Sequence, residues 1–273
     1  MIPIGIVTRD RVPYLDTTLR SLSATTLPHD ISLTVFDDAS AEESSRLYYT
    51  TDKLITVETH WPTSKTWNNV GLGVINQQTP PTGLAGRVFV ESLDAQALGV
   101  VNASCRAICR LFERNPTARG ILLLQDDVIF KDDWYERMML TVSKASSFTH
   151  KPLGLLAGIK INYRIPLVPT PKLAVASGIT AQCLYVSRPL YTALRGFFNK
   201  EHQLRKKFDD TLRRETTKAG FWGGCIYPFV CQHFGIKSIV RPGRSWYQGA
   251  KGRIGYYVHP PYALADAVKR FGK

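Results

Sequence analysis

Gly120-Ile121-Leu122-Leu123-Leu124-Gln125-Asp126-Asp127-Val128-Ile129-Phe130 is an apolar run interrupted by two adjacent carboxylates. An Ile/Leu run of this length bounded by glycine reads as a strand buried on both faces. Packing does not favour two acidic side chains side by side at its exit, so something must balance their charge. A hard divalent cation bound to diphosphate oxygens would do so, since Mg²⁺ and Mn²⁺ take oxygen ligands and keep positions open for substrate phosphate. A strand-to-turn corner, in which the Asp side chains bond nearby backbone amides, accounts for the same residues without any ligand.

The surroundings of this run repeat its pattern. Ile2-Pro3-Ile4-Gly5-Ile6-Val7 reads as a first strand, and Tyr14 to Ser23 follows with Tyr14, Leu15, Leu19 and Leu22 at helical spacing. Ile31 to Phe36 alternates as a second strand and stops at Asp37-Asp38-Ala39-Ser40. Asp94 to Arg114 carries a stripe of Leu98, Val101, Ile108, Leu111 and Phe112, the pattern of a helix leading into the 120s strand. Asp132 or Asp133 is placed to cap a further helix from Trp134 to Ala145. Segments 58 to 90 and 160 to 175 are rich in Pro, Thr and Gly and read as loops. Strand, helix and strand in succession start a parallel α/β sheet. Ligands of such sheets bind outside the carboxyl ends of the strands, where Asp37-Asp38 and Asp126-Asp127 would both arrive.

The whole chain narrows the class. Its 273 residues with 44% apolar content suit one α/β unit. No apolar run approaches the roughly 18 residues of a membrane span, and the N-terminus reaches Thr8-Arg9-Asp10-Arg11 too soon for a signal peptide, so a soluble cytoplasmic protein is expected. Five cysteines, none in a Cys-x-x-Cys pair, predict reduced, mostly buried thiols rather than a disulfide framework or a zinc ribbon. There is no Gly-x-Gly-x-x-Gly or P-loop motif, which counts against dinucleotide oxidoreductases and P-loop enzymes. Net charge is +13, and residues 201 to 273, with 14 basic and 5 acidic side chains, hold +9 of it. A field of that sign attracts polyanions, whether nucleic acid or anionic lipid.

Taken in order, these motifs resemble the nucleotide-sugar-dependent glycosyltransferases of the GT-A fold, family 2-like, from Ile4 to about Ile239. The resemblance implies an α/β fold with a mostly parallel, Rossmann-like sheet flanked by helices. It places one catalytic domain over 1–240, its donor half about 1–130 and its acceptor half about 131–240, with a basic aromatic segment, 241–273, packed on it. Pro3 to Arg11 is similar to the opening strand and donor loop, with Thr8, Arg9 and Arg11 toward the donor. Val35-Phe36-Asp37-Asp38-Ala39-Ser40 resembles the second-strand signature whose Asp holds base or ribose. Gln125-Asp126-Asp127 resembles the Asp-x-Asp metal motif, with Asp127 on Mn²⁺ or Mg²⁺ and Asp126 near the ribose or donor sugar. Gln125 stands where many relatives carry an acid, so Asp127 would carry more of the metal binding.

Farther along, Gly178 to Ser187 resembles the segment before the acceptor pocket, followed by a helix from Pro189. Phe208-Asp209-Asp210-Thr211-Leu212 resembles the acidic helix start that holds the catalytic base, implying Asp209 or Asp210; an N-cap with acidic first-turn charge explains the same residues. His233 resembles the late His near the metal or diphosphate, and Asn102 is implied at the donor. The resemblance therefore implies an inverting, metal-dependent transferase with a nucleotide-sugar donor, a UDP-sugar being the commonest.

The acceptor is read from the C-terminal stretch, where Arg241, Arg244, Lys251 and Arg253 alternate with Trp246, Tyr247, Tyr256, Tyr257 and Tyr262. Cations neutralise phosphates and rings stack on bases, which predicts a DNA acceptor such as a hydroxymethylated base of phage DNA, modified in the host cytoplasm. Two alternatives stand beside it. One is a peripheral-membrane enzyme acting on a lipid-linked or surface saccharide; the other is a non-enzymatic nucleic-acid-binding protein.

Overall fold

The apolar run forms strand β4 (Gly120–Gln125), buried through Leu124, and the two aspartates occupy the turn that leads to β5 (Val128–Phe130). The computed structural model describes residues 2–28, 31–40, 88–94, 96–145, 150–159, 174–177, 179–202, 208–227 and 229–233. The remaining strands are β1 (Ile4–Thr8), β2 (Leu33–Asp37), β3 (Val88–Ser92), β6 (Leu153–Ala157), β7 (Ala174–Ser177), β8 (Cys183–Ser187), β9 (Trp222–Tyr227) and β10 (Cys231–His233). The helices are α1 (Val12–Ser23), α2 (Gly99–Arg114), α3 (Trp134–Ser143), α4 (Arg188–Ala193), α5 (Arg195–Phe198) and α6 (Phe208–Lys218).

Eight strands form one sheet in the order β3-β2-β1-β4-β8-β6-β9-β7. The neighbours β3, β2, β1 and β4 run parallel, as do β6 and β9, whereas β8 runs antiparallel to both β4 and β6. This is the mostly parallel α/β sheet expected, with the antiparallel β8 setting the two halves side by side.

Strand alternation divides the core into two layers. Ile4, Ile6, Leu33, Val35, Leu122 and Leu124 face Leu15, Leu19 and Leu22 of α1 and Trp134 and Met138 of α3. Phe36, Ile121 and Leu123 face the other way, against Ile108, Leu111 and Phe112 of α2 and Leu212 of α6. A period of two along the strands and about 3.6 along the helices produces both faces. The α2 face packs close: a Cβ on Gly5 would lie 2.8 Å from Leu111 Cδ1 and from the Phe36 ring.

Several boundaries differ from the sequence expectation. Val88–Ser92 and Ala174–Ser177 straddle the ends of the segments expected to be loops, 58–90 and 160–175, but are strands; both lie at the sheet edges. Helix α2 begins at Gly99, not Asp94, because Asp38 accepts from the Leu98 and Gly99 amides at 2.6 and 3.0 Å and so caps the helix from another strand. Gly99 has φ 76°, a conformation glycine adopts without a Cβ penalty. Asp133 stands at the α3 N-cap but makes no side-chain capping bond, and the helix ends at Ser143. Helix α1 starts two residues early, at Val12, since the Arg11 carbonyl accepts from the Tyr14 and Leu15 amides. All five cysteines are free and buried, as expected. Among the described residues no helix is long and apolar enough to cross a membrane. The basic aromatic stretch 241–273 lies outside the described residues.

Candidate active site

Parallel pairing aligns the carboxyl ends of three neighbouring strands: Thr8 of β1 stands opposite Asp37 of β2, and Val7 opposite Gln125 of β4. Both acidic pairs therefore emerge on one edge, at the topological position where open α/β sheets bind ligands. The loops after β1 and β2 are knitted together. The Asp38 amide donates to the Thr8 carbonyl at 2.9 Å, and the Asp10 amide to Ser40 Oγ at 2.8 Å. Ser40 in turn donates to the Asp37 carboxylate through its amide, at 3.0 Å, and through its hydroxyl. Asp10 and Ala39 hold φ values of 49° and 51°, so each loop turns through a left-handed residue that is not glycine.

These turns deliver Arg11 to the second acidic pair. Its Nη1 donates to Asp126 Oδ1 at 2.9 Å and its Nη2 to Asp127 Oδ2 at 2.7 Å, with the guanidinium carbon 4.3 Å from the centre of the Tyr14 ring. Thr8 Oγ1 donates to Asp126 Oδ2 at 2.7 Å. Thr18, on α1, donates to the Asp126 carbonyl and accepts from the Val128 amide, clamping the turn on both sides. From the opposite end of the chain, β10 pairs antiparallel with β5 and sets His233 against Val128. His233 Nε2 then lies 3.0 Å from Asp127 Oδ2.

Burial and charge act against each other here. Side-chain exposure is 14% for Arg11, 4% for Asp126 and 5% for Asp127. Burial, reinforced by the neighbouring Asp127 charge, outweighs Arg11 and Thr8 and pushes the Asp126 carboxyl up to about 7. Burial acts on Asp127 in the same direction, but His233 and Arg11 together hold it below the ordinary carboxylate range. Burial lowers His233, yet Asp127 more than offsets it and leaves the imidazole above its usual value. Asp38 is raised by burial despite the two α2 amides it accepts from.

The sequence reading assigned the balancing charge to a cation and Arg11 to the donor. In the structure Arg11 bridges the pair and His233 adds to it at Asp127. Nothing in the local sequence of Arg11 marks that role, nor those of Ser40, Thr18 and Tyr14. Arg9 lies on the same loop, 3.6 Å from the Asp10 carboxylate. Asn102, on α2, donates to the Leu98 and His202 carbonyls and accepts from the His202 amide, tying the segment after α5 to the first turn of α2. Asp209 and Asp210 stand in the first turn of α6, the first half-buried and the second exposed, with the Asp210 amide donating to Asp209 Oδ1 at 3.0 Å.

The donor set suits a hard divalent cation only in part. Asp127 Oδ1 is buried without a hydrogen-bond partner, and an imidazole nitrogen approaches the other oxygen of the same carboxylate. Oxygen with imidazole nitrogen is chemistry that Mn²⁺ accepts. Among the described residues, however, no group of three His, Cys, Asp or Glu side chains could enclose an ion. Asp127 and His233 would hold a cation that takes its other ligands from diphosphate and water.

A cleft of about 540 Å³ opens beside α6. Leu194 and Phe197 line it together with Lys200, His202, Arg214 and Lys218, the last paired at 3.0 Å with Glu215.

The chain shares its fold with TarS of S. aureus. TarS residues 1–349, solved with UDP-GlcNAc, match at a TM-score of 0.52 and 11% identity over 85% of this chain and 57% of that one. A longer TarS structure matches at 0.53 and 12% identity, over 86% and 37% of the two chains. The mannosyltransferase PcManGT from Pyrobaculum calidifontis, solved with GDP-Man and Mn²⁺, matches at 0.44 and 14% identity, over 81% and 53%. At these identities the likeness is one of fold, and the chain spans little more than half the length of the TarS piece. No protein-family model and no curated protein matches the sequence.

Proposed function

We propose that the chain is an inverting glycosyltransferase that moves a sugar from a nucleotide diphosphate to a hydroxyl of an anionic acceptor. The observation that carries this reading is the convergence of Thr8, Arg11, Asp126, Asp127 and His233 at the carboxyl edge of a sheet whose fold is shared with TarS. Buried charged and polar side chains gathered from three remote segments serve no packing purpose, and a pure nucleic-acid binder gains nothing from acid facing its polyanion.

Asp37 and Asp38, held by their loop and by α2, stand where base and ribose would bind, with Arg9 beside them. Asp126 stands by the donor sugar. Asn102 orders the adjoining loop at the same edge. Mn²⁺ or Mg²⁺, held by Asp127 and His233, would supply positive charge to the leaving diphosphate. Of the two candidates for the base we favour Asp209, whose half-buried carboxylate is held by the Asp210 amide. It takes the acceptor proton as the acceptor oxygen bonds to the anomeric carbon, and the bond from that carbon to the diphosphate oxygen breaks with its electron pair leaving on the nucleotide.

The cleft beside α6 supports an anionic acceptor, since Lys200, Arg214 and Lys218 outnumber Glu215 in its lining. DNA with a hydroxymethylated base remains our choice of acceptor, and five free cysteines accord with a reducing, cytoplasmic setting. The test is release of nucleotide diphosphate from a panel of nucleotide sugars with Mn²⁺, with and without hydroxymethylated DNA. Acceptor-dependent release that is lost in Asp127→Ala and in Asp209→Asn supports the reading. Near-normal rates in both variants, or release indifferent to every acceptor, overturn it.

A further inference from the structure

We infer that Arg11 is a resident counter-cation, which makes the divalent ion and the nucleotide diphosphate bind as a unit and not separately. The inference rests on the metal-dependent reading above and goes beyond it, because it concerns what occupies the charge site before substrate arrives.

Three observations carry it. The guanidinium bridges both carboxylates, at 2.9 and 2.7 Å, and is itself largely buried, stacked 4.3 Å from the centre of the Tyr14 ring. It is held there by fold and not by chance, since Arg11 follows Asp10, whose left-handed turn is fastened to Ser40 on the neighbouring strand loop. Asp127 Oδ2 is shared by Arg11 and His233, so Oδ1 is the one oxygen of the acidic pair left unpartnered and buried among the described residues.

A divalent ion placed on Oδ1 would share a carboxylate with the guanidinium, and like charges at such range repel strongly in a buried setting. The existing cation thus opposes a second one. A nucleotide diphosphate changes the balance by bringing negative charge of its own. A planar guanidinium can also move from carboxylate to phosphate oxygens, for which its forked donors are equally suited. Once Arg11 pairs with phosphate, Asp127 loses the competing cation, and its Oδ1 opens to the ion while Oδ2 keeps His233. By linkage, each ligand must then raise the affinity for the other by the same factor.

The test is Mn²⁺ binding, read as loss of the free-ion electron paramagnetic resonance signal, with UDP as probe and the Mn²⁺–UDP complex in buffer subtracted. Wild type, Arg11→Gln and Arg11→Lys are compared without and with UDP, after circular dichroism confirms that each is folded. Wild type is expected to bind Mn²⁺ at least about tenfold more tightly with UDP than without. Arg11→Gln should bind the ion alone about tenfold more tightly than wild type, with the UDP enhancement largely gone. Arg11→Lys, a single point charge that cannot bridge two carboxylates, should fall between, and carries the test if the Gln variant does not fold. Equal affinity of the ion alone for wild type and the variants overturns the inference while UDP-dependent binding leaves the metal reading standing. No Mn²⁺ uptake by any form, with or without UDP, overturns both.

Discussion

Replacing Arg11 by methionine tests the energetic role of the guanidinium, because the new side chain keeps an unbranched apolar stem and removes the charge and donors, with the cation over the Tyr14 ring. Arg11 is 14% exposed and its two carboxylate partners 4% and 5%, so removing it leaves uncompensated buried charge, a loss of about 3–5 kcal/mol. In a chain of this size that corresponds to a fall in Tm of roughly 2–4 °C per kcal/mol. The loss should depend on pH. Burial already lifts Asp126 to about 7 in the presence of Arg11, and without it the carboxyl rises further. A folded state that binds a proton the unfolded chain does not loses stability as pH rises, by up to about 1.4 kcal/mol per unit. Wild type exhausts this slope near pH 7, whereas Arg11→Met continues along it, so the deficit of the variant widens by about 1 kcal/mol from pH 7 to 8. Urea denaturation at pH 6, 7 and 8 measures it, and adding Asp126→Asn should recover part of the loss by removing one of the stranded charges. A variant within about 0.5 kcal/mol of wild type at pH 8, with no widening, refutes the reasoning.

Three other outcomes follow from the same geometry. Asp38→Ala should destabilise by about 1–3 kcal/mol in thermal or urea unfolding, because the Leu98 and Gly99 amides lose their acceptor, while Asp38→Asn retains an acceptor oxygen and loses less. The His233–Asp127 pair should make the unliganded protein most stable in a middle pH window. The raised imidazole contributes fully below its ordinary 6.5 and is lost as pH rises through its higher folded value, and the depressed carboxyl contributes above its ordinary 3.8 and is lost as pH falls through its lower folded value. A Tm profile whose alkaline fall is unchanged in His233→Gln would contradict this. Gly120→Ala drives a Cβ into the Tyr185 ring and should cost about 1–3 kcal/mol or more, relieved by Tyr185→Ala in the same chain; an additive double variant would show that the two do not touch.

The legible parts of the fold were those with local periodicity. The buried run of β4, the stripe on α2 and the acids at the exits of β2 and β4 can each be read within a window of some 20 residues, since alternation and the helical repeat are properties of neighbouring positions. Edge strands β3 and β7 were not, because each straddles the end of a stretch rich in Pro, Thr and Gly, whose composition reads as loop. The start of α2 is not legible locally, because its cap is supplied by Asp38, some 60 residues upstream, where a local rule looks only at Asp94 and its neighbours.

In the site the same division holds. The residue types, two acidic pairs with a late histidine, announced from sequence that charge had to be balanced at a strand edge. Which partner balances it depended on sheet order. Placing β1 between β2 and β4 brings Arg11 onto carboxylates 115 residues away, and pairing β10 with β5 brings His233 onto Asp127 across 106. Periodicity dictates which face of an element is buried, but ion pairing is a matter of distance in space, and only the packed sheet sets those distances.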